Sequence, residues 1–344
     1  MFRFAKWLIF VALFSGVGFV STLYGSEPVL IGSERVTVEE SCVALCADAG
    51  AGGYEAFPDV TRLVDGRLFC AFYAGYTHVS FPNESLPQGG RIVGCYSSDE
   101  GRTWTEPRVV VDTPLDDRDP SLLQSPDGRL ICNFFTHSPG NRHRDSYLVE
   151  SSDGGETWSA PRLLFANFPC SSPIRILSTG RWILGFYEGA GHTYAAVSWS
   201  DDAGRTWSPL VKVPCPWPVD ESDLIERLDG SLYLIQRDHM AVSGSTDGGE
   251  TWSESTDAGF VGHCPYLLRL KDRPLVLLGT RVPETMLRVS RDDCQTWSEP
   301  IQIDTHHGAY PSMVELTDGT VLVVYYEEGD RSNILARRIR FETP

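Results

Sequence analysis

Six times along the chain, a stretch of alternating polar and apolar residues runs into a tight turn and then into a nearly continuous apolar stretch. The copies are FPDVTRLVDGRLFCAFY from Phe57, DPSLLQSPDGRLICNFF from Asp119, SSPIRILSTGRWILGFY from Ser171, DESDLIERLDGSLYLIQ from Asp220, HCPYLLRLKDRPLVLLG from His263 and YPSMVELTDGTVLVVYY from Tyr310. Asp-Gly occupies the turn in four of them. Alternation, a turn pair and then an apolar run predict a β-hairpin whose second strand is covered on both faces. A second phrase alternates with the hairpins: SSDEGRTW from Ser97, SSDGGETW from Ser151, SDDAGRTW from Ser200, STDGGETW from Ser245 and SRDDCQTW from Ser290.

Each unit therefore reads as strand A, a turn, strand B, a loop, strand C, the S-x-D-x-G-x-T-W turn and strand D. Four antiparallel strands repeated six times predict an all-β fold, a six-bladed β-propeller. The turn phrase itself is structural. Its Ser, Asp and Thr side chains bond the turn backbone, its Gly takes a positive φ, and its Trp packs between strands. In the fifth copy Cys294 replaces that Gly, which predicts a slightly strained turn. The phrase occurs five times because the sixth unit runs out after NILARRIRF, its strand C. The segment PVLIGSERVTVEE from Pro28 is the candidate for the missing strand D, an N-terminal strand that closes the last blade.

Strand direction alternates, so the loops divide between two faces. The A–B turns and the S-x-D-x-G-x-T-W turns share one face, and the D–A and B–C loops share the other. All eight histidines fall on the second face: His78, His137, His143, His192 and His239 in B–C loops, and His263, His306 and His307 just ahead of strand A. Asp117, Arg118, Asp119, Arg144, Glu188, Asp220, Glu221, Arg237, Asp238, Arg281 and Tyr310 join them. A titratable mouth over the propeller axis is the expected place for a site.

The chain opens MFRFAKWLIFVALFSGVGFV, with Arg3 and Lys6 ahead of an apolar run from Trp7 to Val20. This is a secretory signal pattern, shorter than an ordinary membrane span, with an uncleaved N-terminal anchor as the alternative. Cleavage near Gly25 or Ser26 leaves residues 27–344 as a single propeller domain, secreted or periplasmic and expected to be a monomer. With 29 Lys and Arg against 46 Asp and Glu, net charge is −17. Such a chain is not built to bind nucleic acid or an anionic membrane through its overall field, so an anionic ligand needs a local basic cluster. Of nine cysteines, Cys70 and Cys132 occupy matching core positions in LFCAFY and LICNFF, and the nearby Cys42 and Cys46 are candidates for a bridge. No C-x-x-C pair suggests zinc, and no metal or cofactor is expected.

With this phrase and these hairpins, the chain resembles the sialidase (neuraminidase) superfamily, six-bladed propellers that carry the repeated phrase as the Asp box. The resemblance covers nearly the whole chain after the leader. It implies a Glu at the start of strand A in blade four, here Glu221 in DESDLIERLDGSL. Its partner is a Tyr at the start of strand A in blade six, here Tyr310 in AYPSMVELTDGTV. Two arginines of the carboxylate-binding triad fall on Arg237 in LIQRD and Arg281 in LGTR. These residue types suit the substrate. A sialoside carries a carboxylate on its anomeric carbon, which repels a carboxylate nucleophile but not a neutral phenol. A neighbouring Glu takes the phenol proton, and planar guanidiniums grip the substrate carboxylate.

Blade one departs from the family. Its R-I-P segment is replaced by EAFPDV, with Ala56 in the place of the arginine. An Arg-x-Pro occurs one blade later, as Arg118-Asp119-Pro120, and is the substitute for the third guanidinium. An ion pair with Asp117 or Asp119 is the competing role for Arg118. The blade-one B–C loop contains no aspartate, which leaves Asp59, Asp119, His78 and Glu84 as candidates for the general acid. His137, Glu188, His192 and Asp238 complete the site-face candidates. Three functions follow from this pattern: an exo-α-sialidase-like glycoside hydrolase acting on a glycan, a hydrolase or lyase for another anionic polysaccharide, and a glycan-binding propeller without catalysis.

Overall fold

The structure is a computed structural model that describes residues 28–140, 144–191, 193–282, 284–305, 308–329 and 332–342. The leader segment expected at residues 1–26 lies outside them, as do His143, His192, His306 and His307. The described residues form six antiparallel sheets and no helix. No helix among them is long and apolar enough to cross a membrane.

Blade I comprises Tyr54–Arg62, Leu68–Gly75, Arg91–Ser97 and Arg108–Val111, and blade II comprises Asp116–Gln124, Leu130–His137, Arg144–Ser151 and Arg162–Phe165. Blades III, IV and V repeat the pattern through Val211–Lys212, Thr256–Asp257 and Ile301–Gln302. In blades I to IV every residue of strand B is buried, as the continuous apolar runs predict for a strand covered on both faces. Blade VI takes Gly308–Glu315, Val321–Glu327 and Ile334–Glu342 from the end of the chain. Its fourth strand is N-terminal: Glu34–Cys46 pairs antiparallel with Ile334–Glu342, from Arg35 opposite Glu342 to Cys46 opposite Ile334. A short fifth strand, Val29–Ile31, folds back along it. The ring is thus closed by joining the two ends of the chain.

The Asp-box turns carry the expected bonds. In the first copy Ser97 Oγ accepts from Gly101 N at 2.8 Å, and Asp99 accepts from Thr103 N at 2.8 Å and from Thr103 Oγ1 at 2.6 Å. Trp104 Nε1 donates to Gly101 O at 3.3 Å. Cys294 keeps the positive φ of the glycine it replaces, at 68°. Its carbonyl accepts instead from Arg227, and Trp297 Nε1 turns to Tyr233 Oη at 3.1 Å. Cys42 and Cys46 are free thiols, contrary to the bridge considered above. They lie four residues apart on one extended strand, which spans roughly 13 Å at about 3.3 Å per residue, beyond the ~7 Å that a disulfide tolerates.

One irregularity positions the site. In blades I, II, V and VI, strand A slips register against strand B between Ala56 and Asp59, Arg118 and Ser121, His263 and Tyr266, and Ala309 and Ser312. Each slip contains an X-Pro pair: Phe57-Pro58, Asp119-Pro120, Cys264-Pro265 and Tyr310-Pro311. The first residue of each pair has φ near +50°: 52°, 50°, 52° and 50°. Proline has no N–H to lose at a bulge, and a bulge re-aims the side chain beside it. A left-handed non-glycine residue costs about 1–2 kcal/mol and persists only where its surroundings fix it. Here the reward is convergence, because Phe57, Asp119, Cys264 and Tyr310 all line one axial cavity.

Buried carboxylates make stability depend on pH. Burial pushes Asp59 and Asp117 up to about 7, although backbone amides bond both: Leu122 N at 2.6 Å for Asp59 and Thr113 N at 2.6 Å for Asp117. A carboxyl raised on folding contributes stability that is present below its unfolded value near 4 and is lost as pH rises through 7. The box aspartates have the opposite sign. Asp99 and Asp247 are held at about 2 against the partial burial that opposes it, by bonds from Thr103 and Thr251, and their contribution is lost as pH falls from 4 through 2. Melting temperature is therefore expected to fall between pH 5 and pH 8. Asp59→Asn should flatten that slope in thermal melts, and an unchanged slope would refute the assignment.

Candidate active site

The mouth on the D–A and B–C face holds a cavity of about 640 Å³ lined by side chains from blades I to VI. Ten of the residues expected at the mouth meet there: His78, Arg118, Asp119, His137, Arg144, Asp220, Glu221, Arg237, Arg281 and Tyr310. Phe135 and Tyr187 complete the wall.

Tyr310 and Glu221 are in direct contact. The Tyr310 hydroxyl, aimed at the axis by the blade VI bulge, donates to Glu221 Oε1. The other carboxylate oxygen accepts from Arg237 NH1 at 2.9 Å. Arg237 Nε pairs with Asp238 at 3.0 Å, and Arg281 pairs with Glu328 at 3.0 Å. Burial holds the Tyr310 phenol well above its ordinary value, with Cys264, Glu221 and Asp119 adding to the effect and Arg237 opposing it. The phenol is therefore neutral, with a carboxylate in place to accept its proton.

Arg118 comes from blade II but reaches over blade I. Its guanidinium lies 4.7 Å from the centre of the Phe57 ring, beside the position where Ala56 leaves blade I without an arginine. Its ion-pair partners are Asp119 at 3.3 Å and Asp116 at 3.6 Å, whereas Asp117 turns away to Thr113. Asp119 is buried on its own bulge and accepts from Ser171 Oγ at 3.2 Å. Burial raises its pKa to about 6, with Arg118 opposing and Glu221 adding.

Of the other general-acid candidates, only His78 lines this cavity. Burial and then Arg118, Arg281 and Arg237 push its pKa down to about 4. Its Nε2 lies 3.3 Å from Arg118 NH2, and its Nδ1 lies 2.9 Å from Tyr54 Oη. A guanidinium only donates, so Nε2 accepts and the ring proton sits on Nδ1. Asp59 lies on the adjoining narrow axial cavity, bonded to Val60 N and Leu122 N. Glu84 is exposed and outside both linings.

Two further candidates serve loops. Glu188 accepts from Ala190 N at 2.9 Å and Gly191 N at 2.7 Å within its own turn. Asp238 is exposed and bridges Arg237 and His263. Phe135 and Tyr187 were missed because they read as core aromatics. They stand near the ends of strand B in blades II and III, where Arg237 and Arg281 stand in blades IV and V, so comparing that position across all six copies would have found them.

Six blades, five Asp-box turns and a Tyr–Glu pair in one cavity with Arg118, Arg237 and Arg281 fit a propeller of the sialidase superfamily. The chain belongs to the BNR repeat-like domain family, whose model matches residues 66–323. It is 27% identical over 358 residues to a sialidase of Micromonospora viridifaciens, an alignment covering 87% of this chain and 53% of that protein. It is 25% identical over 238 residues to a sialidase of Paraclostridium sordellii, covering 58% and 57%. The chain thus spans little more than half the length of these relatives. Among solved structures, a Dyadobacter fermentans protein of unknown function superposes with TM-score 0.75 at 22% identity, covering 91% of this chain and all of that one. The NanB sialidase of Streptococcus pneumoniae superposes with TM-score 0.68 at 16% identity, covering 86% and 69%. These likenesses establish the fold.

Proposed function

We propose that this protein is an exo-α-sialidase-like glycoside hydrolase that removes a terminal sialic acid or a related acidic sugar from a glycan. The observation that carries the reading is the Tyr310 hydroxyl on Glu221, with Arg237 on the other carboxylate oxygen and Arg118 and Arg281 in the same cavity. The arginines bind the substrate carboxylate and seat the anomeric carbon against Tyr310. Tyr310 attacks that carbon as its proton passes to Glu221, and Asp119 protonates the departing oxygen. The tyrosyl–sugar bond is then cleaved by water, from which Asp119 takes a proton, and the proton held on Glu221 returns to Tyr310. Residues 1–26 export the enzyme in this reading, and the mass of the mature chain from its native host tests that step.

The decisive assay is hydrolysis of an aryl α-sialoside by the folded protein. Release of the aryl group supports the sialidase reading. Release only from an aryl uronide shifts the substrate to another acidic glycan, a second reading favoured by the move of the third arginine from blade I to blade II. No release from either leaves a glycan-binding propeller.

A further inference from the structure

The blade-one B–C loop, in place of an acid, brings a histidine into the cavity, and its contacts give that histidine a definite task. Arg118 donates to His78 twice: NH1 to the backbone oxygen at 2.8 Å and NH2 to ring Nε2 at 3.3 Å. The ring is steadied from behind by Tyr54 Oη at 2.9 Å and lies edge-on to Phe57, with centroids 5.4 Å apart. The loop that carries it is fastened to blade II. Asp116 Oδ1 accepts from Tyr73 Oη at 2.7 Å and from Ser80 N at 3.0 Å, and Asp117 N donates to Gly90 O at 2.9 Å. Blade I thus supplies acceptors where its strand A, with Ala56, supplies no guanidinium.

We propose that His78 is a positioning residue: a neutral, Nδ1-protonated imidazole that turns the blade II arginine, Arg118, into the anion-binding cavity and so completes the set with Arg237 and Arg281. The inference rests on the reading of that cavity as the seat of a substrate carboxylate. The role requires the imidazole to stay neutral, and its surroundings enforce this. The groups facing it are Tyr54 and Phe57 on strand A of blade I and Arg118 of blade II, with Arg237 and Arg281 acting from blades IV and V. A proton on Nε2 would set the ring against Arg118 and release it, so the bond is lost as pH falls through about 4.

The test has two arms. In the first, nitrogen-15 NMR of the histidine side chains, with His78→Gln identifying the signal, reads the tautomer without any substrate. Protonation on Nδ1, with no titration between pH 8 and pH 5, is expected. An Nε2-protonated ring, or one titrating near the ordinary value of about 6.5, overturns the proposal. In the second arm, binding of free N-acetylneuraminic acid is measured for the wild type, His78→Ala and His78→Gln. His78→Ala should weaken binding about tenfold, the scale of one charge-assisted hydrogen bond. His78→Gln, whose amide offers an acceptor and a donor, should recover much of it. Equal affinity in all three, with folding intact, also overturns the proposal. If the wild type itself does not bind this sugar, the sialidase reading fails while the first arm still decides the role of His78.

Discussion

Tyr310→Phe is expected to reduce turnover of an aryl α-sialoside by about 10³-fold or more, because it deletes the attacking oxygen and leaves everything else in place. The substitution keeps the ring, which packs 4.9 Å from Phe57 and 6.1 Å from Tyr326. It removes one buried hydrogen bond and leaves Glu221 Oε1 without that donor, a cost of roughly 1–3 kcal/mol. A domain with this core should remain folded, and circular dichroism with a thermal melt checks that directly. Glu221→Gln should cost about 10²–10⁴-fold, the usual worth of a positioned base. The two losses should not add, because both act on the same proton. A double variant no worse than Tyr310→Phe alone supports the pair as one unit. Full activity in folded Tyr310→Phe removes the phenol from the mechanism.

The repeat made the fold legible because its spacing is redundant. Six hairpins and five turns over-determine a propeller, and the absent sixth turn predicted the N-terminal closure that Glu34–Cys46 provides. The site was legible only where it follows the same register. Glu221, Arg237, Arg281 and Tyr310 sit at repeated strand ends, so counting along each copy placed them at the mouth, and the family resemblance singled them out there. Arg118 was harder, since its reach toward blade I depends on a bulge and on the Phe57 ring beneath it. The choice among acid candidates was not readable at all. Asp59 and Asp119 occupy comparable places near strand A in adjacent blades. Asp119 sits on the bulge and faces the cavity, whereas Asp59 lies past its bulge and spends both oxygens on backbone amides. A two-residue offset around a register slip decides which carboxyl can reach a substrate, and sequence alone does not locate the slip.

That offset leads to the second large effect. Asp119→Asn is expected to lower hydrolysis of a natural disaccharide or of an alkyl sialoside by about 10²–10⁴-fold, the range for loss of a general acid. An aryl sialoside with a good leaving group needs little protonation, so bond cleavage there should lose far less. The ratio between the two substrates therefore separates proton donation from mere disruption of Arg118, which would slow both alike. The pH profile gives an independent check. A carboxyl with a pKa of about 6 carries its proton below that value and loses it above, so rates on the poor leaving group should decline as pH rises through 6. In Asp119→Asn that alkaline limb should vanish, while any limb due to the Tyr310–Glu221 pair remains. An equal loss on both leaving groups with the alkaline limb intact would return Asp119 to the role of a partner for Arg118 and require another proton donor.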